Sequence, residues 1–239
     1  MVRPITRLAL TMVLLGVASL TASAAHAGGY GLYTEFEHAW TSVDGDLPFN
    51  SPLKVNRDFD DSMGGVGFLY DSNVATDTLI NYRVRVGYRA GKRNWNKKQT
   101  VTVPRRTDQE DPLCESAKFE QDSETVQGLT FNQTVGFGLI RRPEYRVWIG
   151  PTMRVNVDWY GAATHLDIVD VSVGGGPEIG VNYHLSDRMS ATASFSYNFM
   201  YFGEYFETVG HDQRFDGSQH LLTLSVGFLF RTEFDLFED

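Results

Sequence analysis

The strongest constraint on this chain is a hydrophobic pattern of period two that persists for longer than a soluble strand needs. From Tyr145 to Tyr160 the odd positions read Tyr145, Val147, Ile149, Pro151, Met153, Val155, Val157 and Trp159. The even positions read Arg146, Trp148, Gly150, Thr152, Arg154, Asn156, Asp158 and Tyr160. Successive side chains of a strand point to opposite faces, so one face here is apolar with an aromatic at each end and the other is polar or charged. Tyr82, Val84, Val86 and Tyr88 alternate in the same way with Arg83, Arg85, Gly87 and Arg89. So do Leu222, Leu224, Val226, Phe228 and Phe230 with Thr223, Ser225, Gly227 and Arg231. The pattern predicts strands near 29–40, 62–70, 78–91, 125–140, 145–160, 171–185, 189–206 and 218–231.

Ordinary strands average roughly five to six residues, whereas a tilted membrane strand needs roughly 9–11. Most of these segments meet the second figure. The connections at 71–77, 141–144 and 186–188 are short, and those at 41–61, 92–124, 161–170 and 207–217 are longer. That alternation is the asymmetry of an outer-membrane barrel, with periplasmic turns on one side and extracellular loops on the other. Backbone groups in hydrocarbon must all be paired, so the sheet has to close. The expected fold is all-β: a transmembrane antiparallel up-and-down β-barrel of eight strands.

The start of the chain reads as targeting. Arg3 and Arg7 precede an apolar stretch from Leu8 to Leu20, and Ala25-His26-Ala27 has the small-x-small form of a cleavage site. Residues 1–27 are therefore expected to be a cleaved signal peptide and 28–239 the barrel domain. No later window approaches the roughly eighteen consecutive apolar residues of a membrane helix. The 239 residues carry a net charge of −9, which argues against a nucleic-acid partner, since such a partner calls for a basic face. One cysteine, Cys114, excludes a disulfide framework and a multi-cysteine zinc site.

The eight amphipathic segments, the turn Leu185-Ser186-Asp187-Arg188 and the last strand ending Val226-Gly227-Phe228-Leu229-Phe230 resemble small outer-membrane barrels of the OmpA-domain, OmpX and OmpW type. Such barrels end on an aromatic that the insertion machinery recognises, whereas this chain runs on from Arg231 to Asp239. The resemblance implies an outer-membrane location in a Gram-negative bacterium. It also implies contact with outer-membrane lipid and lipopolysaccharide, and with the barrel-insertion machinery.

Parity then assigns the interior. Its acids are Glu35, Glu37, Asp158, Glu178 and Glu204, and its bases are Arg83, Arg85, Arg89, Arg146, Arg154 and Arg231. Eight strands leave room only for side chains, so these charges are expected to pair across the lumen with Trp148, Tyr160 and Phe202 filling the remainder. The long connection 92–124 is basic first (Lys92, Arg93, Lys97, Lys98, Arg105, Arg106) and acidic afterwards, and with 41–61 it is the expected surface for an extracellular ligand. Asp58, Asp60 and Asp61 lack the spacing of a calcium loop.

Chemistry-bearing signals are sparse. His184-Leu185-Ser186 matches the His-x-Ser arrangement of the lipid A deacylase PagL, yet it adjoins a periplasmic turn and has no acid to orient the base. Gly174-Gly175-Gly176 lacks the spacing of a phosphate loop. No catalytic residue, cofactor or metal is expected. The reading is a non-enzymatic barrel with a structural or surface-interaction role. A narrow conduit for small solutes is the alternative, and a lipid A-modifying enzyme is a third and weaker one.

Overall fold

Residues 28–46, 54–72, 79–95, 100–102, 123–161, 167–208 and 211–231 are described in a computed structural model. They form β1 (Gly29–Asp46), β2 (Lys54–Asp71), β3 (Ile80–Trp95), β4 (Thr100–Thr102), β5 (Glu124–Arg141), β6 (Tyr145–Gly161), β7 (Asp167–Ser186), β8 (Met189–Thr208) and β9 (His211–Arg231). Every strand except the three-residue β4 belongs to one antiparallel ring, in which β9 pairs back onto β1 from Gly29↔Arg231 to Gly45↔Phe215. The eight ring strands leave no edge, so the backbone can satisfy itself in hydrocarbon. β4 pairs with Lys54–Asn56 of β2, beyond the last β3 pair at Phe59↔Trp95, and so extends that hairpin.

The register sets the shape. From Tyr33 the paired positions run through Gly67, Gly87, Thr130, Asn156, Ser172, Phe202 and Gly217. They return to β1 at Val43, a stagger of ten residues. With about 3.3 Å per residue and about 4.8 Å between strands, that stagger tilts the strands by about 40°. All the positions on this walk lie on the inner face.

The outward face is apolar. Phe68 is 73% exposed, Phe36 61% and Phe199 55%, whereas Arg154 and Trp148 are fully buried. Val155 shares the outward parity and lies in register between Phe131 and Val173. On β1 the outward aromatics Tyr30 and Trp40 stand ten residues apart, which at this tilt is about 25 Å, the height of a barrel's lipid-facing band. Inside, Trp148 faces Gly180 of β7, and a Cβ at that glycine would overlap the indole. A Cβ at Gly136 would come within 3.0 Å of its Cε3, so the two glycines clear the space that lets this side chain lie flat in the lumen.

Three expectations are corrected. The strands are longer than their apolar stretches: β1 runs to Asp46, β2 starts at Lys54 and β3 runs to Trp95, so 41–61 and 92–124 are not wholly loops. The connection between β8 and β9 is residues 209–210 alone, where 207–217 was expected, because Glu207↔Asp212 and Thr208↔His211 continue the ladder. The length asymmetry of the connections is therefore less regular than the sequence suggested. Past the lipid band the outer face meets water, the hydrophobic alternation stops, and pairing goes on without it. The segment 1–27 lies outside the described residues.

Leu224→Arg, on the outer face opposite Phe36, should cost the barrel about 2–4 kcal/mol in vesicle-based urea unfolding. An unchanged midpoint would place that face away from lipid. The wild-type chain should also migrate faster on SDS gels unheated than boiled; a single mobility counts against a closed barrel.

Candidate functional site

The lumen is built by the inward parity of all eight ring strands, and its charges are arranged in tiers. At the periplasmic end Asp71, fully buried, lies 3.4 Å from Arg83 Nε and accepts from Asn182 Nδ2 at 3.2 Å. Arg83 also donates to Thr192 Oγ1 at 3.0 Å and stacks over the Trp148 ring at 4.5 Å. Arg146 donates to the Leu79 carbonyl at 3.1 Å, and Arg231 stands half-buried at the mouth. One step further in, Arg85 pairs with Glu178 at 2.8 Å, and Glu178 accepts from Thr134 Oγ1.

The central tier is a continuous chain of alternating charge. Arg89 holds Asp158 through two nitrogens, with Nε–Oδ1 at 2.8 Å, and Glu37 at 2.6 Å. Glu37 accepts in turn from Arg154, which also reaches Glu35 at 3.1 Å. β6 is the fourth strand from β1 in either direction round the ring, so Arg154 spans the full width of the barrel to reach both glutamates. A planar guanidinium with five donors can reach both carboxylates and still donate from Nε to Asn156 Oδ1 at 2.9 Å.

The extracellular tier is different in kind. Arg93 is fully buried and grips Asp61 with two nitrogens at 2.8 and 2.9 Å, and Asp170 at 2.6 Å. Its guanidinium lies 4.0 Å from the Phe59 ring centre and 4.9 Å from that of Tyr160. Phe59, Trp95, Tyr160, Phe202 and Phe215, with Val43, Met63 and Val126, form one buried apolar cluster around it. Arg57 stacks over Phe215 at 4.4 Å and pairs with Glu204 at 3.3 Å. Cation–aromatic contacts of this kind strengthen when water is excluded.

Glu35, Glu37, Arg83, Arg85, Arg89, Arg154, Asp158, Glu178 and Glu204 thus all lie inside with the partners given. Asp61, Asp71, Arg57, Arg93 and Asp170 join them although sequence reasoning left them out. The assignment of Arg93 to a loop basic patch is wrong: β3 continues through it, and odd parity turns it inward. Lys92 of the same patch is exposed on β3, while Lys97, Lys98, Arg105 and Arg106 lie outside the described residues, as does Cys114. Continuing the parity of Arg83, Arg85 and Arg89 by four more residues would have found Arg93. Asp61 points inward and Asp58 and Asp60 outward, so these three do not converge on a cation.

His184 bonds Ser190 Oγ, its register partner on β8, at 2.9 Å rather than Ser186. His38 and His220 face outward: His38 lies 3.0 Å from Ser62 Oγ, and His220 2.6 Å from the Tyr197 hydroxyl. Among the described residues no group of three or more His, Cys, Asp or Glu is placed to hold a metal ion.

No protein-family model matches the chain, and no curated protein sequence does. Its fold is that of known outer-membrane barrels. The crystal structure of the outer membrane protein OprG from Pseudomonas aeruginosa is similar at a TM-score of 0.52 and 12% identity, covering 87% of this chain and 98% of that one. The outer membrane protein AlkL in DMPC lipid bilayers is similar at 0.53 and 13%, covering 89% and 93%.

Arg154→Ala strips the partner from Glu35 and half the pairing from Glu37, and should cost about 3–5 kcal/mol. Glu35→Gln in the same background should recover part of that loss in equilibrium unfolding. Equal stability of both variants and wild type would mean the central chain is not formed.

Proposed function

We propose that this is an integral outer-membrane barrel of a Gram-negative bacterium that works as a closed anchor and presents its extracellular segments to a ligand. The observation that carries the proposal is the extracellular tier, where Arg93 and its two aspartates sit inside a buried, largely aromatic cluster to which seven of the eight ring strands contribute. An eight-stranded interior is only wide enough for side chains. Here it is occupied from Trp148 at one end to Phe215 at the other. The apolar exterior supports lipid and lipopolysaccharide as its surroundings, and insertion machinery as the partner that delivers it there. Within the two extracellular stretches 41–61 and 92–124, the parts outside the strands are left to make contact with a ligand.

The conduit reading makes the ion pairs a gate that exchanges partners. It differs from the anchor reading in conductance. The wild-type barrel should show little steady current in planar bilayers, and Arg93→Ala combined with Phe202→Ala should raise it several-fold. A large, stable wild-type step would replace the anchor with the conduit.

Changing Lys97, Lys98, Arg105 and Arg106 together to Gln should abolish retention of barrel-bearing vesicles on immobilised heparin, used as a model polyanion. Unchanged retention removes the basic stretch from the recognition surface.

A further inference from the structure

We infer that the outer wall carries a binding site for one outer-leaflet glycolipid, with a phosphate held by Lys92, Ser62 and His38 and an acyl chain lying over Gly64 and Ala90. This rests on the outer-membrane reading above and names a specific seat within it.

The three polar residues come from three different strands and fall on one row. His38 of β1 pairs with Ser62 of β2, and Ser62 pairs with Lys92 of β3. All three have the outward parity, and Ser62 and Lys92 are exposed. The imidazole Nδ1 lies 3.0 Å from Ser62 Oγ, and the ring packs edge-on against Trp40 at 4.5 Å. Trp40 is the extracellular aromatic of β1, so the row lies at headgroup level. The stagger of the barrel lifts each strand by about 3 Å on going from β1 to β3. Lys92 therefore stands at about the height of Trp40. An ammonium beside a hydroxyl–imidazole pair offers a phosphate one full charge of the right sign and a second donor, the Ser62 hydroxyl when Nδ1 donates to it or the His38 Nε2–H when Nδ1 accepts.

Directly below the row the wall is hollowed. Gly64 pairs with Ala90, and both point outward. A Cβ built on Gly64 would meet nothing nearer than the Glu35 carbonyl at 3.9 Å, so the space in front of it is open. Phe36, 61% exposed, stands on one side of the dent, and Tyr88, bonded through its hydroxyl to Gln127 at 2.6 Å, stands below and to the other. A dent one row deep at Gly64 and Ala90, edged by Phe36 and Tyr88 and floored by the exposed Val66, opens beneath a cationic row at the membrane boundary and fits the start of a chain that hangs from a phosphorylated headgroup. Among the described residues no carboxylate pairs with Lys92. The outward Asp60 faces Asn94 one position higher, on the solvent side of the row.

A lysine that only extended its stem to water would be indifferent to the wall beneath it. The dent distinguishes the two cases, because filling it leaves Lys92 free to do that while removing the seat of the chain. The test uses the full chain folded into phosphatidylcholine vesicles doped with lipopolysaccharide, or with the same material after removal of its lipid A phosphates. The barrel is then extracted in mild detergent, and retained glycolipid is counted by native mass spectrometry. The wild-type barrel should keep one glycolipid and lose it about tenfold when the phosphates are removed. Lys92→Gln and Gly64→Leu should each reduce retention about tenfold, and Arg188→Gln at the periplasmic turn should not. Millimolar inorganic phosphate should fail to displace the lipid. Wild-type retention by both Lys92→Gln and Gly64→Leu overturns the site, as does indifference to the phosphates, or displacement by free phosphate. A barrel that inserts and is heat-modifiable yet keeps no glycolipid sinks this inference alone; a chain that does not insert takes the outer-membrane reading down with it.

Discussion

The need to pair every backbone N–H and C=O without water sets the rest of this structure. A sheet in hydrocarbon can meet that need only by closing, and closure with eight strands and a stagger of ten residues fixes the tilt and width of the barrel. Width then selects side chains. A lumen this narrow is crossed by arginine, whose fork can reach from β6 to the glutamates of β1, and it is filled where it is dry by rings rather than by more charge. The outward face is chosen by the same closure, because whatever the ring excludes from its interior must be soluble in lipid.

The lumen has two regimes, and they do different physical work. Replacing a buried ion pair with apolar groups of like shape is often neutral for stability, while removing one partner is costly. The central chain of Asp158, Arg89, Glu37, Arg154 and Glu35 is therefore weak evidence for added stability and strong evidence for a specific closed arrangement. Nearer the outside, Arg93 keeps its charge in an apolar cluster only because Asp61 and Asp170 accept from it and Phe59 and Tyr160 cover its faces. Nearer the periplasm the lumen mixes Ser, Thr and Asn with the paired charges Asp71, Arg83, Arg85 and Glu178 and the Trp148 ring.

The sequence made the barrel legible because lipid on one side and ions on the other impose opposite chemistries on adjacent residues. That contrast is strongest between Tyr145 and Tyr160, and there parity sorted every residue correctly. It fades where strands leave the bilayer. Asp61 and Arg93 were missed because polar residues stand on both faces of their segments, so nothing local distinguishes a paired strand from a loop; Asp170 lies just before the expected strand start at 171, although Val169, Val171 and Val173 alternate around it. The aromatic cluster was half visible: Tyr160 and Phe202 follow clear alternation, but Phe59, Trp95 and Phe215 sit in stretches whose strand character comes only from pairing with neighbours. The row His38, Ser62 and Lys92 was invisible for another reason. It is a product of register between strands, which single-strand parity does not contain.

Arg154 reaching across to the strand diametrically opposite has a bearing on assembly. While the sheet is still open, β1 and β6 lie four strands apart, so Glu35 and Arg154 each face an incomplete interior and Glu37 has Arg89 of β3 as its partner. The pairing of Glu35 with Arg154 waits for β9 to meet β1. The last seam and the quenching of the central charges are thus one event, and a half-zipped intermediate would carry an electrostatic penalty that draws it either forward to the finished ring or back into water.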